Sequence, residues 1–182
     1  MTVRCLHQLR RLWVALCLLG LMLSAGAQDG ARPKVSVAWT AQVTYIVDGD
    51  SVWVRAEPGG QRRKLRLSGM DAPEVCQAYG RKSRAALQAL VQGQQVRITV
   101  HAYDRYARGI ATIERVADKQ DIASLMVSQG WGWSEDYRGR RGRYWREQAQ
   151  AQQEKAGMFA RGRPETPAAF RKRHGPCKSN KS

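Results

Sequence analysis

The chain has 182 residues, with 31 Lys and Arg against 15 Asp and Glu, a formal net charge of +16 and a pI near 10.5. That length is enough for one domain with a real core, and the charge favours polyanionic partners: nucleic acid, an anionic membrane surface or an acidic polysaccharide. No phosphate-cradling Gly-rich loop followed by Lys is present and no cysteine pair has metal-ligand spacing, so ATP-driven work and a zinc site are not indicated.

Residues 1–27 read as a signal peptide. Arg4, Arg10 and Arg11 form a positive start, residues 12–23 an apolar run too short for a membrane span, and Ala25-Gly26-Ala27 a small-residue cleavage site. The leader carries no acidic residue, and the mature chain remains strongly basic without it. The expected location is the periplasm or the medium. Cys76 and Cys177 then remain; export favours a disulfide between them, two free thiols being the alternative.

Residues 28–34 are a polar linker. Residues 35–47, rich in Val, Thr and Tyr, predict a first strand, and Asp48-Gly49-Asp50 a tight turn. Residues 51–56 and 61–67 predict a second and a third strand around a Glu57-Pro58-Gly59-Gly60 turn. Apolar residues at helical spacing predict a helix over 80–91, stopped by Gly93. Residues 94–103 and 110–116 alternate as strands four and five. Asp121 can cap a short helix ended by Gly130, and a last helix runs from Tyr144 towards Gly157. Five strands with three helices fit an α+β, mainly β fold: a small closed barrel of the oligonucleotide-binding type over residues 28–160. Residues 161–182, with several prolines and many basic residues, read as a disordered cationic tail.

The stretch from Lys64 to Glu74, Lys-Leu-Arg-Leu-Ser-Gly-Met-Asp-Ala-Pro-Glu, places an arginine and two carboxylates at the end of the third strand. Hydrolysing a phosphodiester requires a placed water, charge to spread over the equatorial oxygens, and help for the leaving alkoxide. Arg66 and Arg108 are the candidate phosphate-binding guanidiniums. Asp50, Asp71 and the Ala72 carbonyl are hard oxygen donors suited to Ca²⁺, with Glu74 left as general base for the water. Each part alone has an ordinary alternative, since Asp48-Gly49-Asp50 is also turn chemistry and Arg66 or Arg108 also a solvated basic residue. The signal lies in their joint order.

That order closely resembles the staphylococcal (thermonuclease-type) nuclease family. The resemblance rests on Val47-Asp48-Gly49-Asp50-Ser51, Arg66-Leu67-Ser68-Gly69-Met70-Asp71-Ala72-Pro73-Glu74 and Asp104-Arg105-Tyr106-Ala107-Arg108-Gly109, and covers residues 43–159. It implies a five-stranded barrel with three helices and a monomeric, Ca²⁺-dependent endonuclease on DNA and RNA that leaves 3′-phosphate ends. On the resemblance, Asp50, Asp71 and Ala72 hold calcium, Arg66, Glu74 and Arg108 are catalytic, and Arg105 and Tyr106 contact substrate. Residues 131–143 diverge, and Tyr137 is the candidate base-stacking tyrosine there. Ala107 stands where a glycine is common, which implies a stiffer loop. The rival reading is a catalytically inactive nucleic-acid-binding barrel; a cationic envelope protein with a lipid or polysaccharide partner is a third.

Overall fold

The computed structural model describes residues 37–177. The expected leader, residues 1–27, and the last five residues lie outside that span. Five strands close into a barrel in the order β1-β2-β3-β6-β5: β1 (Ala38–Ile46), β2 (Ser51–Ala56), β3 (Arg62–Leu67), β5 (Gln95–Tyr103) and β6 (Gly109–Arg115). β1, β2 and β3 form the expected antiparallel meander, β5 pairs antiparallel with both β1 and β6, and closure is made by a parallel pairing of β3 with β6. Two short strands that the sequence pattern does not reveal, β4 (Met70–Asp71) and β7 (Trp133–Ser134), make a separate two-stranded ladder.

Alternation decides what fills the barrel. Val52 and Val54, Leu65 and Leu67, Val96, Ile98 and Val100, and Ala111 and Ile113 are all buried, each set at a spacing of two residues. Burying a Val, Leu or Ile side chain contributes about 1.5–3 kcal/mol, so this lining is the main driving force for the fold. Leu87 and Val91 of α1 (Gly80–Val91) and Ile122, Met126 and Val127 of α2 (Ile122–Ser128) join the same core. Asp121 caps α2 as its position predicts, accepting from the N–H groups of Ala123 at 3.0 Å and Ser124 at 3.4 Å. A second cluster sits under α3 (Trp145–Gln153). There Trp133 meets Phe159 edge to face, ring centroids 6.1 Å apart, with Ala151 and Met158.

The tail departs from expectation. In place of disorder, residues 167–174 form a fourth helix, α4 (Pro167–His174), and Cys177 is bonded to Cys76. The Thr166 hydroxyl accepts from Ala169 N–H at 3.3 Å, Pro167 takes the first turn, and Gly175 ends the helix with a positive φ of 72°. Among the described residues no helix is long and apolar enough to cross a membrane.

Candidate nucleolytic cleft

Strand register brings the sequence motifs to one rim of the barrel. Ser51 pairs with Arg66, and Arg66 with Ile110, so the ends of β2, β3 and the start of β6 lie side by side. Asp50 immediately precedes β2 and Arg108 immediately precedes β6. Leu65 and Leu67 point into the core, which by alternation puts Arg66 on the other face. The Asp48–Asp50 turn sits tight against α1: a Cβ on Gly49 would overlap the Ser83 hydroxyl. Glu74 is held just as closely, because a Cβ on Gly80, the first residue of α1, would overlap the Glu74 carbonyl.

A cavity of about 460 Å³ opens at this rim. Its walls include Asp50, Arg66, Glu74 and Arg108, with Ala72, Arg105 and Tyr106 beside them. Asp71 reaches the same group through Arg66. The Arg66 guanidinium spans two aspartates: one nitrogen (Nη1) donates to Asp50 Oδ2, and Nη2 donates to Asp71 Oδ1 at 2.8 Å and to the Met70 carbonyl at 3.2 Å. Asp50 also accepts from the Ser51 hydroxyl at 2.7 Å and from Ala72 N–H at 3.3 Å. Burial alone would raise the Asp50 carboxyl; the Arg66 charge and these donors outweigh it, and it lies below the ordinary carboxylate range. Asp48 goes the other way. Burial, together with the nearby Asp50 charge, pushes it up to about 7. Arg66 itself is driven upward: the Asp50 and Asp71 charges overcome the burial that would lower it.

Arg108 is aimed by its own loop. Asp104 Oδ1 accepts the N–H groups of Tyr106 at 2.9 Å and Arg108 at 3.0 Å, while Oδ2 takes Arg108 Nε at 2.7 Å. Burial would raise Asp104, but these Arg108 and Tyr106 donors win, and its carboxyl falls below the ordinary range. Arg108 Nη1 reaches on to the Ser51 hydroxyl at 3.3 Å. Ser51 thus links the two arginine clusters through one oxygen. Tyr106 is 67% exposed, with the Arg105 and Arg108 guanidiniums 5.2 and 5.6 Å from its ring centroid. An exposed aromatic flanked by guanidiniums in this way can stack a base.

Two placements complete the picture of the site. Tyr137 does not line the cavity; it is exposed and closes a small loop by backbone bonds to Arg140. The reason is local, since that loop turns back on itself between β7 and α3. Arg171, from the tail, is part of the cleft and was not among the candidate residues. Asp48, Ser51 and Asp104 were inside the motifs, but neighbouring carboxylates and arginines do not by themselves declare which one positions the other.

Among the described residues no group of three or more His, Cys, Asp or Glu side chains forms a metal cluster. The donors here are two aspartates and a backbone carbonyl, all hard oxygens, and the two aspartates are already drawn to one point by the shared Arg66 guanidinium. Asp50, Asp71 and Ala72 therefore fit a hard divalent cation such as Ca²⁺.

A small oligonucleotide-binding-type barrel with a rim cleft of paired arginines and carboxylates is the class that fold and site define together. The chain belongs to the staphylococcal nuclease homologue family, whose pattern matches residues 64–161. It is 35% identical over 133 residues to an uncharacterized endonuclease of Haemophilus influenzae, covering 73% of each chain. A micrococcal nuclease of Shigella flexneri is 31% identical over 113 residues, 57% of this chain and 64% of that one. A probable staphylococcal-like nuclease of Oryza sativa subsp. japonica is 32% identical over 149 residues, 81% of this chain and 42% of that one.

Proposed function

We propose that this protein is an exported, Ca²⁺-dependent endonuclease that hydrolyses phosphodiester bonds of DNA and RNA and leaves 3′-phosphate ends. The observation that carries the reading is the gathering of Arg66, Glu74, Arg108 and Asp50 around one cavity, with Asp71 tied in by Arg66. The nuclease descriptions of the relatives point the same way. Export is supported by the leader pattern and by a disulfide, which persists in oxidising compartments.

In this reading Glu74 takes a proton from the attacking water as its oxygen bonds to phosphorus. The bond from phosphorus to the 5′ oxygen breaks, the phosphate stays on the 3′ side, and the 5′ oxygen leaves, taking a proton from solvent water. Arg66 and Arg108 face the charge that grows on the equatorial oxygens, where fixed guanidiniums are worth far more than water. Asp104 and Ser51 hold Arg108 so that little reorganisation is needed. Asp50, Asp71 and the Ala72 carbonyl would hold Ca²⁺, which would supply positive charge to the scissile phosphate. Arg105 and Tyr106 contact the substrate's terminal phosphate and base, and the net positive charge of the chain draws in the polyanion.

The test is degradation of a single-stranded DNA and an RNA by the purified full chain, with Ca²⁺ and with chelator, followed by end analysis. Calcium-dependent shortening with 3′-phosphate products is expected. Salt-sensitive binding without cleavage in any divalent metal would replace the reading with that of a binding barrel.

A further inference from the structure

The C-terminal residues beyond the family match approach the cleft as a strap anchored at both ends. At one end the Gln77 amide donates to the Glu165 carbonyl at 2.7 Å, while its Oε1 accepts Glu74 N–H at 3.1 Å, so a single buried side chain ties the tail to the Glu74 loop. At the other end Cys177 is bonded to Cys76, two residues beyond Glu74. Between the anchors, α4 presents Arg171. Its Nη2 donates to Asp71 Oδ2 at 2.8 Å, and its Nη1 to Asp71 Oδ1 at 3.2 Å and to Glu74 Oε1 at 2.9 Å.

Resting on the nuclease reading, we propose that this strap is an internal gate: Arg171 is a resident cation on Asp71 and Glu74, and Ca²⁺ enters by displacing it. Both Asp71 oxygens accept from Arg171, and Oδ1 also accepts from Arg66, so little of the carboxylate's capacity is left for a metal. An N–H points at the Glu74 oxygen that would receive the proton of water. A guanidinium and a divalent ion compete for the same carboxylates and repel each other. Arg171 is able to leave, because 38% of its side chain is exposed against 15% for Arg66. The disulfide sets how readily it returns. A tether beside Glu74 keeps the guanidinium at high effective concentration, and cutting it lets the C-terminal end of α4 swing away while Glu165 stays attached.

The measurement is Ca²⁺ affinity by titration calorimetry on the full chain, without nucleic acid and without reductant. Arg171→Ala should bind Ca²⁺ about tenfold more tightly than wild type, within the usual range for coupled ligands. Cys76→Ser/Cys177→Ser, which keeps Arg171 but frees the strap, should shift the same way by less; it carries the test should Arg171→Ala fail to fold. Unchanged or weaker Ca²⁺ binding in Arg171→Ala overturns the gate, as does failure of every protein to bind Ca²⁺. Weaker binding of a short oligonucleotide with unaltered Ca²⁺ affinity also overturns it and makes Arg171 a substrate-phosphate ligand. Cleavage separates the two ideas: Ca²⁺-dependent cleavage with equal affinities leaves the nuclease and removes the gate, whereas tighter Ca²⁺ binding in a protein that never cleaves leaves the gate and removes the nuclease.

Discussion

Arg66→Ala should damage stability as well as catalysis, in a way that calcium partly repairs. Arg66 lies between Asp50 and Asp71, which are 3% and 8% exposed, and its own side chain is 15% exposed. Removing one partner of a buried ion pair costs about 3–5 kcal/mol because the remaining charge is left uncompensated. Here the loss is softened. Ser51 and Ala72 still donate to Asp50, and Arg171 still donates to Asp71. A loss of about 2–4 kcal/mol remains, allowing for those surviving donors. At about 2–4 °C per kcal/mol for a domain near this size, melting should fall by about 5–15 °C. Ca²⁺ would restore positive charge between the same carboxylates. Thermal unfolding followed by circular dichroism, in Ca²⁺ and in chelator, therefore has a specific expected pattern: the variant gains more melting temperature from Ca²⁺ than wild type does. A melting temperature equal to wild type, or a deficit that Ca²⁺ leaves untouched, would refute the reasoning.

The Asp104–Arg108 loop yields two further expected outcomes. Asp104→Asn removes the charge that aims Arg108 Nε at 2.7 Å, and turnover of single-stranded DNA should fall by about 10- to 100-fold, the scale of a misplaced reacting group, with KM nearly constant; a change confined to KM would make Asp104 a substrate-binding residue instead. Ala107 adopts φ of 58°, a left-handed conformation that costs a residue with a Cβ about 1–2 kcal/mol. Glycine has no such cost but loses about 0.5–1 kcal/mol in chain entropy, so Ala107→Gly should stabilise by about 0.5–1 kcal/mol in denaturant unfolding, and a destabilised variant would contradict this.

The barrel was legible because its strands alternate so strictly: Val52 and Val54, or Val96, Ile98 and Val100, can face one core only in a strand. The rim site was legible for a related reason. Asp50, Arg66 and Arg108 each stand at or beside a strand end, and once the strands pair, the ends coincide. The parallel β3–β6 closure is not written in either strand, since parallel and antiparallel partners present the same apolar alternation. β4 and β7, two residues each, are too short to show a period. The tail is the instructive miss. Thr166, Pro167 and Gly175 are a helix start and stop, and all three are visible in the sequence. Charge and proline content mask them, because α4 has scarcely any apolar face and depends on the disulfide, the Gln77–Glu165 bond and the Arg171 ion pairs for its place. Arg66 shows a limit of another kind. Motif order singles out Arg66 as a candidate phosphate ligand but does not show its bonds to Asp50 and Asp71, which give it a structural role.

The central claim is that Glu74 is the base of a calcium-dependent hydrolysis. The most direct measurement pairs turnover with binding for Glu74→Gln, using one single-stranded DNA in Ca²⁺ and in chelator. Loss of the base should slow cleavage by about 10²- to 10⁴-fold while DNA affinity stays within a few-fold of wild type. Cleavage at the wild-type rate by Glu74→Gln would contradict the account, whatever the metal dependence.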